Sequence, residues 1–179
     1  MRLIVGPERH ADPTFTVGAD LLVLRSPTAE GPGPQGGRRR LELRFNDIAD
    51  ARAGFTPPDA AIVRQILAFG RDTATLAVFC YAGVSRSTAA AYAVACQATQ
   101  PGREAELAQA LRALSPAATP NPLMVALADA ALGRGGRMVA AIAAIGRGTE
   151  AFEGPLFEWR PGDDSEVTQR EIDRGRRRR

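Results

Sequence analysis

The chain has 179 residues, 45% of them hydrophobic, enough for one domain with a genuine core and too few for two large independent ones. Its 23 basic residues against 20 acidic ones give a net charge of +3, and every basic residue is arginine, so Schiff-base chemistry and lysine-dependent nucleotide hydrolysis have no carrier. One histidine, His10, and two cysteines, Cys80 and Cys96, leave Ser-His-Asp triads, zinc sites and multi-disulfide scaffolds without their residues, and neither a metal nor a cofactor is implied.

Four short apolar stretches bounded by turn formers predict strands over 3–5, 21–24, 41–45 and 75–80. The run from Gly31 to Gly37, rich in glycine and proline, predicts a surface loop between the second and third. After Pro57-Pro58-Asp59 the spacing turns helical, with Ile62, Val63, Ile66, Leu67 and Phe69 on one side and Gly70 as the stop. Further helices are predicted over 87–98, 104–114, 121–132 and 137–145; Asn121 caps the third of these, Pro122 takes its first turn and Gly133 ends it.

Strands therefore lead and helices follow. With a helix between the third and fourth strands, this predicts an α/β fold: a central, mostly parallel sheet of four to five strands flanked by helices, with a helical C-terminal half. Residues 1–145 form the expected domain. From Gly146 the periodicity fades, and 146–179 is expected to be an irregular to disordered tail, densely charged from Gly162, in which Phe152, Leu156, Phe157 and Trp159 are available to pack back on the body.

No apolar run reaches the 18 or so residues that a membrane span needs, so a cytoplasmic protein without a membrane partner is expected. Arginine without lysine, together with many alanines, fits GC-rich coding and a bacterial source. Two arginine clusters, Arg38-Arg39-Arg40 and the four residues from Arg176, read as solvated charge, and nucleic acid is not an expected partner.

Chemistry concentrates in one place. The fourth strand runs into Cys80-Tyr81-Ala82-Gly83-Val84-Ser85-Arg86-Ser87 and then into an alanine-rich helix, which places a cysteine at the carboxyl end of a strand, where α/β sheets bind ligands. Backbone N–H groups of Tyr81, Ala82, Gly83, Val84 and Ser85, unpaired before a helix start, can curl around an anion, with Gly83 supplying the freedom to do so. The same positive field favours the Cys80 thiolate. Arg86 can hold two phosphate oxygens in its planar fork, and Ser87 can offer its hydroxyl to the sulfur.

Residues 80–87 resemble the Cys-x5-Arg-[Ser/Thr] signature of the cysteine-dependent protein tyrosine and dual-specificity phosphatase superfamily. The Ala82-Gly83 pair is similar to the tyrosine-specific loops, and the Ser85-Arg86-Ser87 end to the dual-specificity ones. The resemblance implies a phosphomonoester hydrolase acting without metal through a cysteinyl-phosphate intermediate, with a phosphorylated protein or a small phosphomonoester as substrate. It also implies an aspartate general acid on a loop some 30 residues before the cysteine. Asp47 follows the third strand at that distance, with Asp50 as its rival on the same loop. The segment Pro120-Asn121-Pro122 resembles the one that precedes the last helices of such phosphatases. One position departs from the pattern: the family usually has histidine directly before the cysteine, where this chain has Phe79, whose ring can pack under the loop but cannot offer the imidazole hydrogen bonds that hold it in shape. Cys96 is read as a buried apolar residue, with a resolving thiol for oxidised Cys80 as the alternative. Two other functions use parts of the same loop: a catalytically weak phosphate-recognition module, and sulfur transfer by a loop cysteine.

Overall fold

A computed structural model describes residues 1–162. Strands β1 (Arg2–Pro7), β2 (Asp20–Arg25), β3 (Arg40–Arg44), β4 (Thr75–Cys80) and β5 (Phe157–Trp159) form one sheet in the order β3-β2-β4-β1-β5. The first four are parallel to their neighbours and β5 runs antiparallel to β1. Helices α1 (Pro13–Thr16, a single turn), α2 (Ala60–Gly70), α3 (Arg86–Ala98), α4 (Glu104–Leu114), α5 (Pro122–Ala131) and α6 (Arg137–Ile145) complete the fold, with a further 3-10 turn at Glu8–His10.

β2 is apolar from Leu21 to Leu24 and β4 from Leu76 to Cys80 because both faces of these stretches are covered, as central parallel strands require. Side chains alternate between two cores. Leu3, Val5, Leu22, Leu24, Val78 and Cys80 face the helices, whereas Ile4, Leu21, Val23, Ala77 and Phe79 face the other side, under Ala11 and Leu156. Phe79 thus packs beneath the sheet and not under the loop, since it is the neighbour of a strand residue that points the opposite way.

α3 is the central helix, buried from Arg86 to Cys96, and its alanines let the sheet and the surrounding helices approach closely. Asp59 caps α2 by accepting from Ile62 N, and Asn121 caps α5 by accepting from Met124 N. Arg38 and Arg39 both bond the buried carboxylate of Asp20 at the start of β2, while Arg40 and Arg44 pair with Glu42 along β3. That arginine cluster is internally compensated.

The expectation of an irregular chain from 146 onward fails for 157–159. Phe157 and Trp159 are buried, and the strand between them pairs Leu3 with Trp159 and Val5 with Phe157. Two aromatic side chains on one face supply the burial that holds a strand of only three residues at the sheet edge. The other end of the expected tail, 163–179, lies outside the described residues. Among the described residues no helix is long and apolar enough to cross a membrane.

Candidate active site

β4 delivers Cys80 to the carboxyl end of the sheet between Leu24 of β2 and Pro7 of β1, and α3 begins six residues later. Gly83 makes the bend between them. Its φ is +68°, and a Cβ there would lie 2.5 Å from Pro7 N and 2.6 Å from the Gly6 carbonyl carbon, so the loop rests directly on the end of β1. Each engaged loop carbonyl is held from outside. Ala82 O accepts from Gly154 N at 2.9 Å, Val84 O from Thr119 N at 2.9 Å and Thr88 Oγ1 at 2.6 Å, and Ser85 O from Ala89 N at 2.9 Å and Thr88 Oγ1 at 2.8 Å. Among the described residues the N–H groups of Ala82, Gly83, Val84 and Ser85 make no backbone hydrogen bond. A loop with carbonyls drawn out and N–H groups left over, at the N-terminus of a thirteen-residue helix, has the form that can receive an anion.

Arg86 is the first residue of α3, and its side chain is buried. Nη1 donates to Phe45 O at 3.0 Å and lies 3.4 Å from Ser26 Oγ, which pins one edge of the guanidinium to the ends of β2 and β3. Nε is buried with no hydrogen-bond partner among the described residues. A buried guanidinium N–H without an acceptor is costly to leave so, and an oxyanion in the loop would satisfy it. The Cys80 thiol donates to Ser87 Oγ at 3.2 Å, and the hydroxyl is free to turn its own proton toward a thiolate.

Asp47 comes from the segment after β3. Phe45 is fully buried and anchors the start of that segment, and Asn46 closes it by bonding Thr56 twice, N to O at 2.7 Å and Oδ1 from N at 2.8 Å. Asp47 Oδ1 then accepts two hydrogen bonds, from Ser85 Oγ and from Asn121 Nδ2, both at 2.8 Å, and Oδ2 stands 3.9 Å from Arg86 Nε. The carboxylate predicted from sequence is therefore brought by one segment, the one after β3, to the loop that carries the cysteine and the arginine. Asp50 is exposed and makes no hydrogen bond to the loop among the described residues. Tyr81 stands at the rim, 60% exposed, so it does not face the core.

Asn121 is the site residue whose role sequence reasoning missed. Its position before Pro122 announces a helix cap, but the reach of its amide back to Asp47 depends on the packing of α5 and leaves no local trace. Thr119 and Gly154, which hold the loop carbonyls, are hidden for the same reason. Cys96 lies ten residues along α3 from Arg86, roughly 15 Å at 1.5 Å per residue. Burial pushes its thiol up to about 12. That distance and that environment fit the buried apolar reading and exclude it as a partner for Cys80. His10 belongs to the 3-10 turn after β1, away from the loop contacts described.

No protein-family model matches the chain, and no curated protein matches it either. Among solved structures it is similar to the crystal structure of human DUSP28, a dual-specificity phosphatase, with a TM-score of 0.51 and 22% sequence identity over 79% of this chain and 94% of that one. The five-strand sheet flanked by helices is thus similar in fold to that protein.

Proposed function

We infer that the protein is a phosphomonoester hydrolase, of the protein tyrosine or dual-specificity type, that works through a cysteinyl-phosphate intermediate. The observation that carries this reading is the convergence of Asp47 on the Cys80 loop, with Arg86 Nε buried beside its carboxylate and without a hydrogen bond among the described residues. The phosphatase fold supports it.

In the first half-reaction the three non-bridging phosphate oxygens sit in the loop, bound by its N–H groups and the Nε edge of Arg86. The Cys80 sulfur attacks phosphorus, the S–P bond forming as the bond to the leaving oxygen breaks, and Asp47 delivers a proton to that oxygen. In the second, the Asp47 carboxylate takes a proton from water, the water oxygen attacks phosphorus, and the S–P bond breaks to release inorganic phosphate. Ser87 donates to the sulfur as it regains its electron pair. Positive charge comes from Arg86 and backbone N–H groups, so the reaction needs no metal ion. The substrate is a phosphorylated protein or a small phosphomonoester.

Turnover of an aryl phosphate tests this. Cys80→Ser abolishes hydrolysis while phosphate binding persists, and a chelator changes nothing. Activity that survives in Cys80→Ser refutes the mechanism, and phosphate binding without turnover in the unsubstituted protein assigns the loop to a phosphate-recognition module instead.

A further inference from the structure

The loop that forms the anion cradle is fastened from behind by two backbone donors far from it in sequence. Gly154 N holds Ala82 O, and Thr119 N holds Val84 O. A peptide unit is planar and trans, so a carbonyl pulled one way aims the N–H of the next residue the other way. Holding Ala82 O outward therefore turns the Gly83 N–H inward, and holding Val84 O outward does the same for the Ser85 N–H.

These donors belong to one laced unit. Gly148 N donates to Thr119 Oγ1 at 3.1 Å and Thr149 N to Pro116 O at 2.9 Å. The Arg112 guanidinium bonds the carbonyls of Pro116, Ala118, Gly146 and Arg147, tying 116–118 to 146–147. Glu153 pairs with Arg9, and β5 then docks on β1. The fit leaves no slack: a Cβ on Gly154 would lie 2.7 Å from Gly83 O, while the opposite side of Gly83 already rests on Pro7.

We propose that residues 146–159, a strap, together with the 116–119 segment to which it is laced, hold the inward aim of the Gly83 and Ser85 N–H groups, making Gly154 and Thr119 positioning residues for oxyanion binding. This rests on the phosphate-binding reading of the Cys80 loop. The catalytic unit then extends to Trp159, past the end of α6.

Gly154→Ala is the sharpest probe. Gly154 has no left-handed backbone to lose, so the added methyl acts by pressing on the Gly83 carbonyl. The affinity for inorganic phosphate, measured by titration calorimetry, falls about tenfold and kcat on an aryl phosphate falls at least as far, the scale set by sub-ångström misplacement of oxyanion donors. Circular dichroism shows the fold retained. Phe152→Ala, which removes a ring 80% exposed on the same strap, leaves both quantities unchanged. A Gly154→Ala protein that melts lower yet binds phosphate and turns over like the unsubstituted one overturns the proposal, because the strap then serves stability alone. An unsubstituted protein that binds no phosphate overturns the reading of the loop itself, and the strap's role with it. If Gly154→Ala does not fold, amide exchange in the unsubstituted protein decides. Phosphate slows exchange at the Gly154 and Thr119 amides several-fold if they belong to the oxyanion site, and equal rates with and without phosphate overturn the proposal.

Discussion

Asn121 donates its side-chain amide to Asp47 Oδ1 at 2.8 Å across 74 positions of sequence, with the same side chain that caps α5 through its oxygen. Because Ser85 Oγ donates to that same oxygen, Oδ1 is committed as an acceptor, and a proton carried by Asp47 resides on Oδ2, the oxygen nearer Arg86. Asp47→Asn is expected to lower turnover on substrates with poor leaving groups by about 10²-fold, with a much smaller effect where the leaving group needs no proton. Ser85→Ala shows the same leaving-group pattern in weaker form. Asn121→Ala adds to it a loss of about 1 kcal/mol of stability from the missing cap. Initial rates across a series of aryl phosphates, with denaturant unfolding, separate the three. The leaving-group pattern in Asp50→Asn, without it in Asp47→Asn, would transfer the acid role to Asp50.

Gly83→Ala forces a side chain into left-handed backbone and against the backbone of Gly6 and Pro7. A loss of at least about 2 kcal/mol in denaturant unfolding is expected, together with loss of phosphate binding. Binding that survives at full strength would show that the loop can form its cradle without resting on β1.

Cys96 is buried, and its thiol is held neutral far above physiological pH. Alkylation of the native protein at pH 8 followed by peptide mass spectrometry should leave Cys96 unlabelled until the chain is unfolded. Cys96→Ala should keep turnover, and recovery from peroxide treatment, unchanged. A disulfide between Cys80 and Cys96 in peroxide-treated native protein would contradict the geometry of α3.

Asp20 gives the sheet a pH-dependent stabilisation. The hydrogen bond from Arg39, helped by Arg38, holds its carboxyl well below the usual carboxylate range despite burial. A carboxyl whose folded pKa is depressed contributes its stabilisation in full above the unfolded value of about 3.9 and loses it as pH falls toward the folded one. Asp20→Asn should therefore cost about 2 kcal/mol at pH 7, with the difference from the unsubstituted protein shrinking below about pH 4. A difference that stays constant down to pH 2 would mean that the ion pairs contribute nothing.

The strands and long helices were legible because each carries its own periodicity: the continuous apolar run of β2, the one-sided spacing of α2, the Asn121-Pro122 start of α5. The Cys80 loop was legible because its parts lie within eight consecutive residues. What escaped depends on contacts across the chain. Phe157-Glu158-Trp159 is too short to show a pattern, and only its fit against β1 makes it a strand. Phe79 was misplaced for a simpler reason: adjacent strand residues face opposite sides, so the residue before Cys80 belongs to the lower core with Ile4 and Val23. The arginines at 38–40 looked like loose surface charge because their carboxylate partners, Asp20 and Glu42, lie on neighbouring strands or alternate positions.

Since β1 lies between β4 and β5, its second neighbour is synthesised about 150 residues after it. Until β5 docks, Pro7 supports Gly83 from one side while the segment that carries the Gly154 donor is not yet tied down on the other. Pairings that span so many residues close slowly, and a chain cut before Gly154 keeps Cys80, Arg86 and Asp47 but loses one of the two supports of the loop that the proposed chemistry uses.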